Sequence, residues 1–152
     1  MNQAFLEAIT SSNFTYSHEN FLEVSRLNKD DIESKLFLAM DINRNSAISM
    51  QKPDSGLRVQ AVRILERILN NYPNNPAANH YWIHAWEDTL NPETAVTSAN
   101  ILPVYAFNSP HMTHMSGHIY HRLGQYSKSA DLFYNSYQVN KRYLRTQVKL
   151  KQ

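Results

Sequence analysis

Two histidine runs set 34 residues apart constrain this chain more than any other feature. The first reads His80-Tyr-Trp-Ile-His84-Ala-Trp-Glu87, and the second His111-Met-Thr-His114-Met-Ser-Gly-His118-Ile-Tyr-His121; together they hold six of the seven histidines. Pro76 maps onto Pro110, His80 onto His114, His84 onto His118 and Glu87 onto His121, and a fixed period of this length marks a helical repeat. At about 100° per residue on an α-helix, His80, His84 and Glu87 share an arc of about 60°, and His111, His114, His118 and His121 one of about 80°. Each run therefore predicts a helix with one ligand-rich stripe. The offset of one repeat points both stripes the same way from neighbouring helices, so that their imidazoles meet.

The rest of the chain supplies helices to carry them. Residues 3–10 read as a short helix, Ser17 as the cap of a second and Asp30 or Asp31 as the cap of a third, the latter two forming a hairpin. The stretch from Asn43 to Gly56 has no periodicity and reads as a long connection over one end of the groove. From Leu57, apolar residues recur at three- and four-residue steps as far as Tyr72-Pro73. Pro76 suits the first turn of the next helix, where its missing N–H costs nothing. Further helices follow through Ala95 to Leu102, from Pro110 to Leu123 with Gly124 as terminator, and after Tyr126, with one more beginning near Asn140. The expected fold is all-α, a right-handed array of antiparallel helical hairpins with seven to nine helices and no strand. Residues 1–56 would form N-terminal cap helices and a connection, 57–140 the repeats with a His-rich concave face, and 141–152 a basic helix or tail.

Composition narrows the function. With 42% hydrophobic and 11% aromatic residues the chain should fold, and 152 residues are used up by three or four hairpins. A net charge of +2 is too small for a nucleic-acid footprint, and the basic residues Lys141, Arg142, Arg145, Lys149 and Lys151 read as a solvated end. No window approaches the roughly 20 apolar residues of a membrane span, and no leader pattern opens the chain, so that it reads as soluble and cytoplasmic or as a domain of a longer exported protein. The absence of cysteine leaves histidine and carboxylate as the strong ligands.

The residues from 57 to 140 resemble the tetratricopeptide repeat, a helix-turn-helix unit. Ala61, Leu65, Ile68 and Pro73 stand at the spacings of a unit's second helix, Ala95, Ala99 and Leu102 continue the offset, and Leu123-Gly124-Gln-Tyr126 with Phe133 is similar to the turn and second helix of another. Ser129 and Phe107 depart from the pattern. More narrowly, the two histidine runs with Pro92-Glu93, Arg122 and Gly124 resemble a group of bacterial tetratricopeptide-like proteins bearing a similar histidine signature. The resemblance implies that the first helix of each pair lines a concave groove, which makes His80, His84, Glu87, His111, His114, His118 and His121 groove residues.

Histidines four apart on a helix present their rings side by side, close enough to bind one ion at about 2.0 to 2.1 Å. His80, His84, His114 and His118 form the expected metal set, with Glu87 as a further ligand or as the acceptor that fixes a tautomer. Nitrogen donors suit a divalent transition metal such as zinc, copper, nickel or iron. Glu87 would be the general base if the site is catalytic. The alternative is a metal-free groove that binds a peptide or protein segment, with the imidazoles and Arg122 holding a carboxylate or phosphate; a third reading makes the histidines purely structural. Tyr81, Trp82, Trp86, Tyr120, Met112 and Met115 read as core.

Overall fold

The computed structural model describes residues 14–48 and 56–149, which contain seven α-helices, one 3₁₀ turn and no strand. The helices are α1 (Phe14–Leu27), α2 (Ile32–Ile48), α3 (Gly56–Asn71), α4 (Pro76–Trp86), α5 (Val96–Tyr105), α6 (Pro110–Arg122) and α7 (Tyr126–Lys149), with the 3₁₀ turn over Pro92–Ala95. They fall into two compact units, residues 1–72 and 73–152. The helix expected over residues 3–10 lies outside the described residues.

In the first unit α2 packs on both α1 and α3. Phe21 stacks on Phe37 at 6.1 Å, and Phe21, Leu38, Ile42 and Ala61 form the buried cluster. Asp31 caps α2, its Oδ2 accepting from the Ser34 N–H at 2.8 Å, as the Ser/Asp cap rule predicts. Ser17 does not begin a helix but lies inside α1, which already starts at Phe14. The aperiodic connection expected from Asn43 is helical as far as Ile48. Ile42 and Asn43 are buried there, and packing overrides the weak helix propensity of the Asn and Ser residues that follow. The seventh histidine, His18, is held in this unit by the buried Asp41, Nδ1 to Oδ2 2.6 Å.

The second unit is a pair of hairpins. α4 packs on α5, α5 on α6 and α6 on α7, while α4 also touches α6. Ile83, Ala95, Ala99, Leu102, Met115, Ile119, Tyr120 and Leu132 close one core, with Trp82, Trp86 and Met112 packed against it. Each large aliphatic side chain there contributes about 1.5 to 3 kcal/mol on burial. Alanines at 95 and 99, almost fully buried, let the helix backbones approach. Gly124 ends the α6 turn at φ +73°, a conformation an L side chain adopts only at a cost. The separate helix expected from Asn140 does not form. No Gly or Pro interrupts residues 126–149, and α7 runs unbroken through the basic segment to Lys149.

Candidate metal centre

α4 and α6 begin alike, and this sets the site. Asn75 caps α4, with Oδ1 accepting from the Ala78 N–H at 2.9 Å, and Ser109 caps α6, with Oγ 3.5 Å from the Met112 N–H; a proline opens each first turn. His80 and His84 thus stand five and nine residues after one cap, and His114 and His118 five and nine after the other. On α6 the side chains of Thr113, Met115, Ser116, Ile119 and Tyr120 are buried, so that the histidines occupy the strip that opens.

The imidazoles meet in two sets. His80 Nε2 lies 3.0 Å from His84 Nε2 and 3.0 Å from His111 Nε2. These three residues offer ligand atoms all within 4.8 Å of one another. His114 and His118 form a separate pair, Nε2 to Nε2 2.8 Å. The expected four-nitrogen set is therefore divided: His111 reaches across from α6 to complete the α4 pair, while the other two α6 histidines pair with each other. Glu87 stands between the sets, with Oε1 2.6 Å from His84 Nδ1 and Oε2 3.5 Å from His118 Nδ1. His80 and Glu87 form a floor that is 8% and 14% exposed, and His84 and His118, at 35% and 41%, open to solvent.

Proton accounting makes the three-histidine cluster unusual. If His84 donates Nδ1–H to the Glu87 carboxylate, its Nε2 keeps only a lone pair. The Nε2 of His80 then has one hydrogen or one lone pair to set against two neighbouring nitrogens. Neutral rings cannot satisfy both contacts. Protonating a third ring is opposed by burial and by the neighbouring imidazoles: burial, and then His84 and His111, push His80 down to about 4 against the pull of Glu87. His111 is lowered by burial and by His84 and His118, and His114 by burial and by His118 and His111. Burial alone would raise Glu87, but its hydrogen bond to His84 and the charges of His84, His118 and His80 bring it below the usual carboxylate range. At neutral pH, His80, His111 and His114 are thus in the uncharged form that binds a cation.

Neither His121 nor Arg122 hydrogen-bonds to the cluster among the described residues. His121 packs on Tyr126 at 5.4 Å, and Arg122 donates to the Thr89 carbonyl at 2.8 Å, tying the end of α6 to the turn after α4. Two residues that motif reading missed shape the second pair. Phe133 of α7 lies 4.8 Å from the His114 ring and 5.7 Å from that of His118, and Gly117 lets it approach, because a Cβ there would stand 2.5 Å from Phe133 Cε1. The glycine between the two histidines was visible in the sequence; its partner was not, since it lies on another helix.

Helical hairpins that present one face of their first helices define the class: the chain has an all-α, tetratricopeptide-like fold. It is similar to the solved structure of MamA MSR-1 C2, a tetratricopeptide-like helical repeat protein, with a TM-score of 0.51 and 14% identity over 93% of this chain and 94% of that one. No family model matches the sequence, and no curated protein matches it.

Proposed function

We propose that the second unit is a tetratricopeptide-like scaffold that binds a divalent transition metal ion through the Nε2 atoms of His80, His84 and His111. The reading is carried by the two 3.0 Å separations between those nitrogens. Two nitrogens bonded to one ion at 2.0 to 2.1 Å stand about 2.9 Å apart at a right angle and about 3.3 Å apart in a tetrahedron. A cation also satisfies together the lone pairs that a single proton cannot. Glu87 takes the role of positioning residue, as its Oε1 holds the Nδ1 of His84 and leaves Nε2 free to ligate. With both oxygens facing imidazoles, it is poorly placed to take a proton from water as a general base. An ion with three imidazole ligands keeps positions open and, when bound, supplies Lewis acidity and an acidified water. The all-nitrogen donor set suits zinc, copper, nickel or iron, with copper(II) first in intrinsic affinity.

The test is elemental analysis of protein purified without a histidine tag, loaded with each of these metals and desalted. Wild type should retain stoichiometric metal, and a His84→Ala, His111→Ala double variant should lose the tightly held ion while keeping its helical circular dichroism. If no metal of the four is retained, the reading fails. The unit is then an adaptor that binds peptide or protein segments without metal.

A further inference from the structure

We infer that the groove holds a second metal ion, ligated by the Nε2 atoms of His114 and His118, so that Glu87 is shared between two centres. This rests on the reading of the three-histidine site as a metal centre. Three observations carry it. The His114 and His118 nitrogens lie 2.8 Å apart, close to the distance of about 2.9 Å between adjacent ligands of one ion. The pair also repeats the construction of the first, standing at the same distance from an equivalent helix cap.

The third observation separates the centres. His84 and His118 both turn Nδ1 toward Glu87, at 2.6 Å and 3.5 Å, so the Nε2 of each ring lies on the side away from that carboxylate. His114 and His118 also stand apart from the first site, whose three residues group their ligand atoms within 4.8 Å of one another without them. Two ions flanking one carboxylate fit this arrangement better than one ion between the pairs. His111 is spent on the first site, which leaves the second with two imidazoles and its remaining positions to water or an oxyanion. The second ion should be the weaker.

Zinc titration against a chromophoric chelator, on tag-free protein at pH 7.5, tests this. Two ions should bind per chain in resolvable steps. His114→Ala with His118→Ala should remove the weaker step and leave the tighter one within about twofold, whereas His111→Ala should weaken the tighter step by at least tenfold. The single His118→Gln variant, at a half-exposed position, should likewise abolish the weaker step if the double variant fails to fold. One ion in wild type that the His114 and His118 variants leave in place overturns the two-centre arrangement and leaves the first site standing, whereas one ion lost in those variants overturns both. No zinc at all, with none of the other three metals retained, removes the first site as well.

Discussion

Replacing Gly117 with alanine probes how the helix that carries His114 and His118 is seated. In an exposed helix interior the change would stabilise by up to about 1 kcal/mol, because glycine has more backbone freedom to lose. Here the new Cβ would stand 2.5, 2.7 and 3.0 Å from the Cε1, Cδ1 and Cζ atoms of Phe133. Carbon atoms normally approach to about 3.5 to 4.0 Å, so the overlap is about 1 Å. Ser129, one turn before Phe133 on α7, donates its hydroxyl to the Gly117 carbonyl at 2.9 Å and holds the two helices at this spacing. The ring must therefore move, and it lies against both His114 and His118.

Overpacking of this kind costs about 1 to 3 kcal/mol. Set against the helix gain, Gly117→Ala should destabilise the protein by about 1 kcal/mol, read as a lower urea midpoint with an unchanged m value. The same substitution in a Phe133→Leu background, where the flat ring is gone, should recover the ordinary sign and stabilise by about 0.5 to 1 kcal/mol relative to Phe133→Leu alone. Stabilisation by Gly117→Ala in the wild-type background would refute the reasoning. So would a cost that is the same in both backgrounds, since the coupling to Phe133 is the claim.

Acid should weaken the metal-free protein. The folded value of His80 is depressed to about 4 from an ordinary 6.5, so the unfolded chain takes up a proton that the folded chain resists. That contribution is full above pH 6.5 and is lost as the pH falls toward 4, amounting to about 2 kcal/mol by pH 5. His111 and His114 shift in the same direction and add to the loss. Urea unfolding at pH 7 and pH 5 in the presence of chelator checks it, and equal stabilities would count against a buried neutral His80. Glu87→Gln should keep the metal stoichiometry but weaken zinc binding by about 10- to 100-fold, since a neutral amide oxygen holds the His84 Nδ1–H less firmly than the carboxylate does at 2.6 Å; unchanged affinity would deny Glu87 its positioning role. Asn75→Ala should cost about 1 kcal/mol in a urea melt and Ser109→Ala less, because the Asn75 cap is 2.9 Å long and the Ser109 cap 3.5 Å. The reverse order would mean that the caps do not govern the two helix starts.

The helices were legible because punctuation and period agree along most of the chain. Pro76, Pro110 and Gly124 stand where α4 and α6 begin and end, and the apolar steps from Val59 to Leu69 fall within α3. Besides the cap expected at Ser17, two errors arose where punctuation is weak. Asn43 is a poor helix residue that burial nevertheless holds in α2, and Asn140 lies in a stretch that nothing interrupts. The helix over residues 56–71, grouped by pattern with the repeats after it, packs on α2 in the first unit, a choice of partner that periodicity along one helix does not encode.

The same limit explains the site. An offset of 34 residues pairs His80 with His114 and His84 with His118, and so it expresses which positions are equivalent, not which are adjacent. Equivalent side chains on neighbouring helices are displaced by the whole spacing between the axes, about 8 to 10 Å, whereas an imidazole reaches much less far. The residue that bridges such a gap must lie out of register, and His111 does: one repeat earlier its position holds Ala77, so the period alone gave no reason to place it with His80 and His84. Glu87 spans the other side of the gap for the same reason, since its carboxylate reaches His118 from the end of α4. A repeated pair thus marks where a cluster can form, and the residues that break the repeat join its halves.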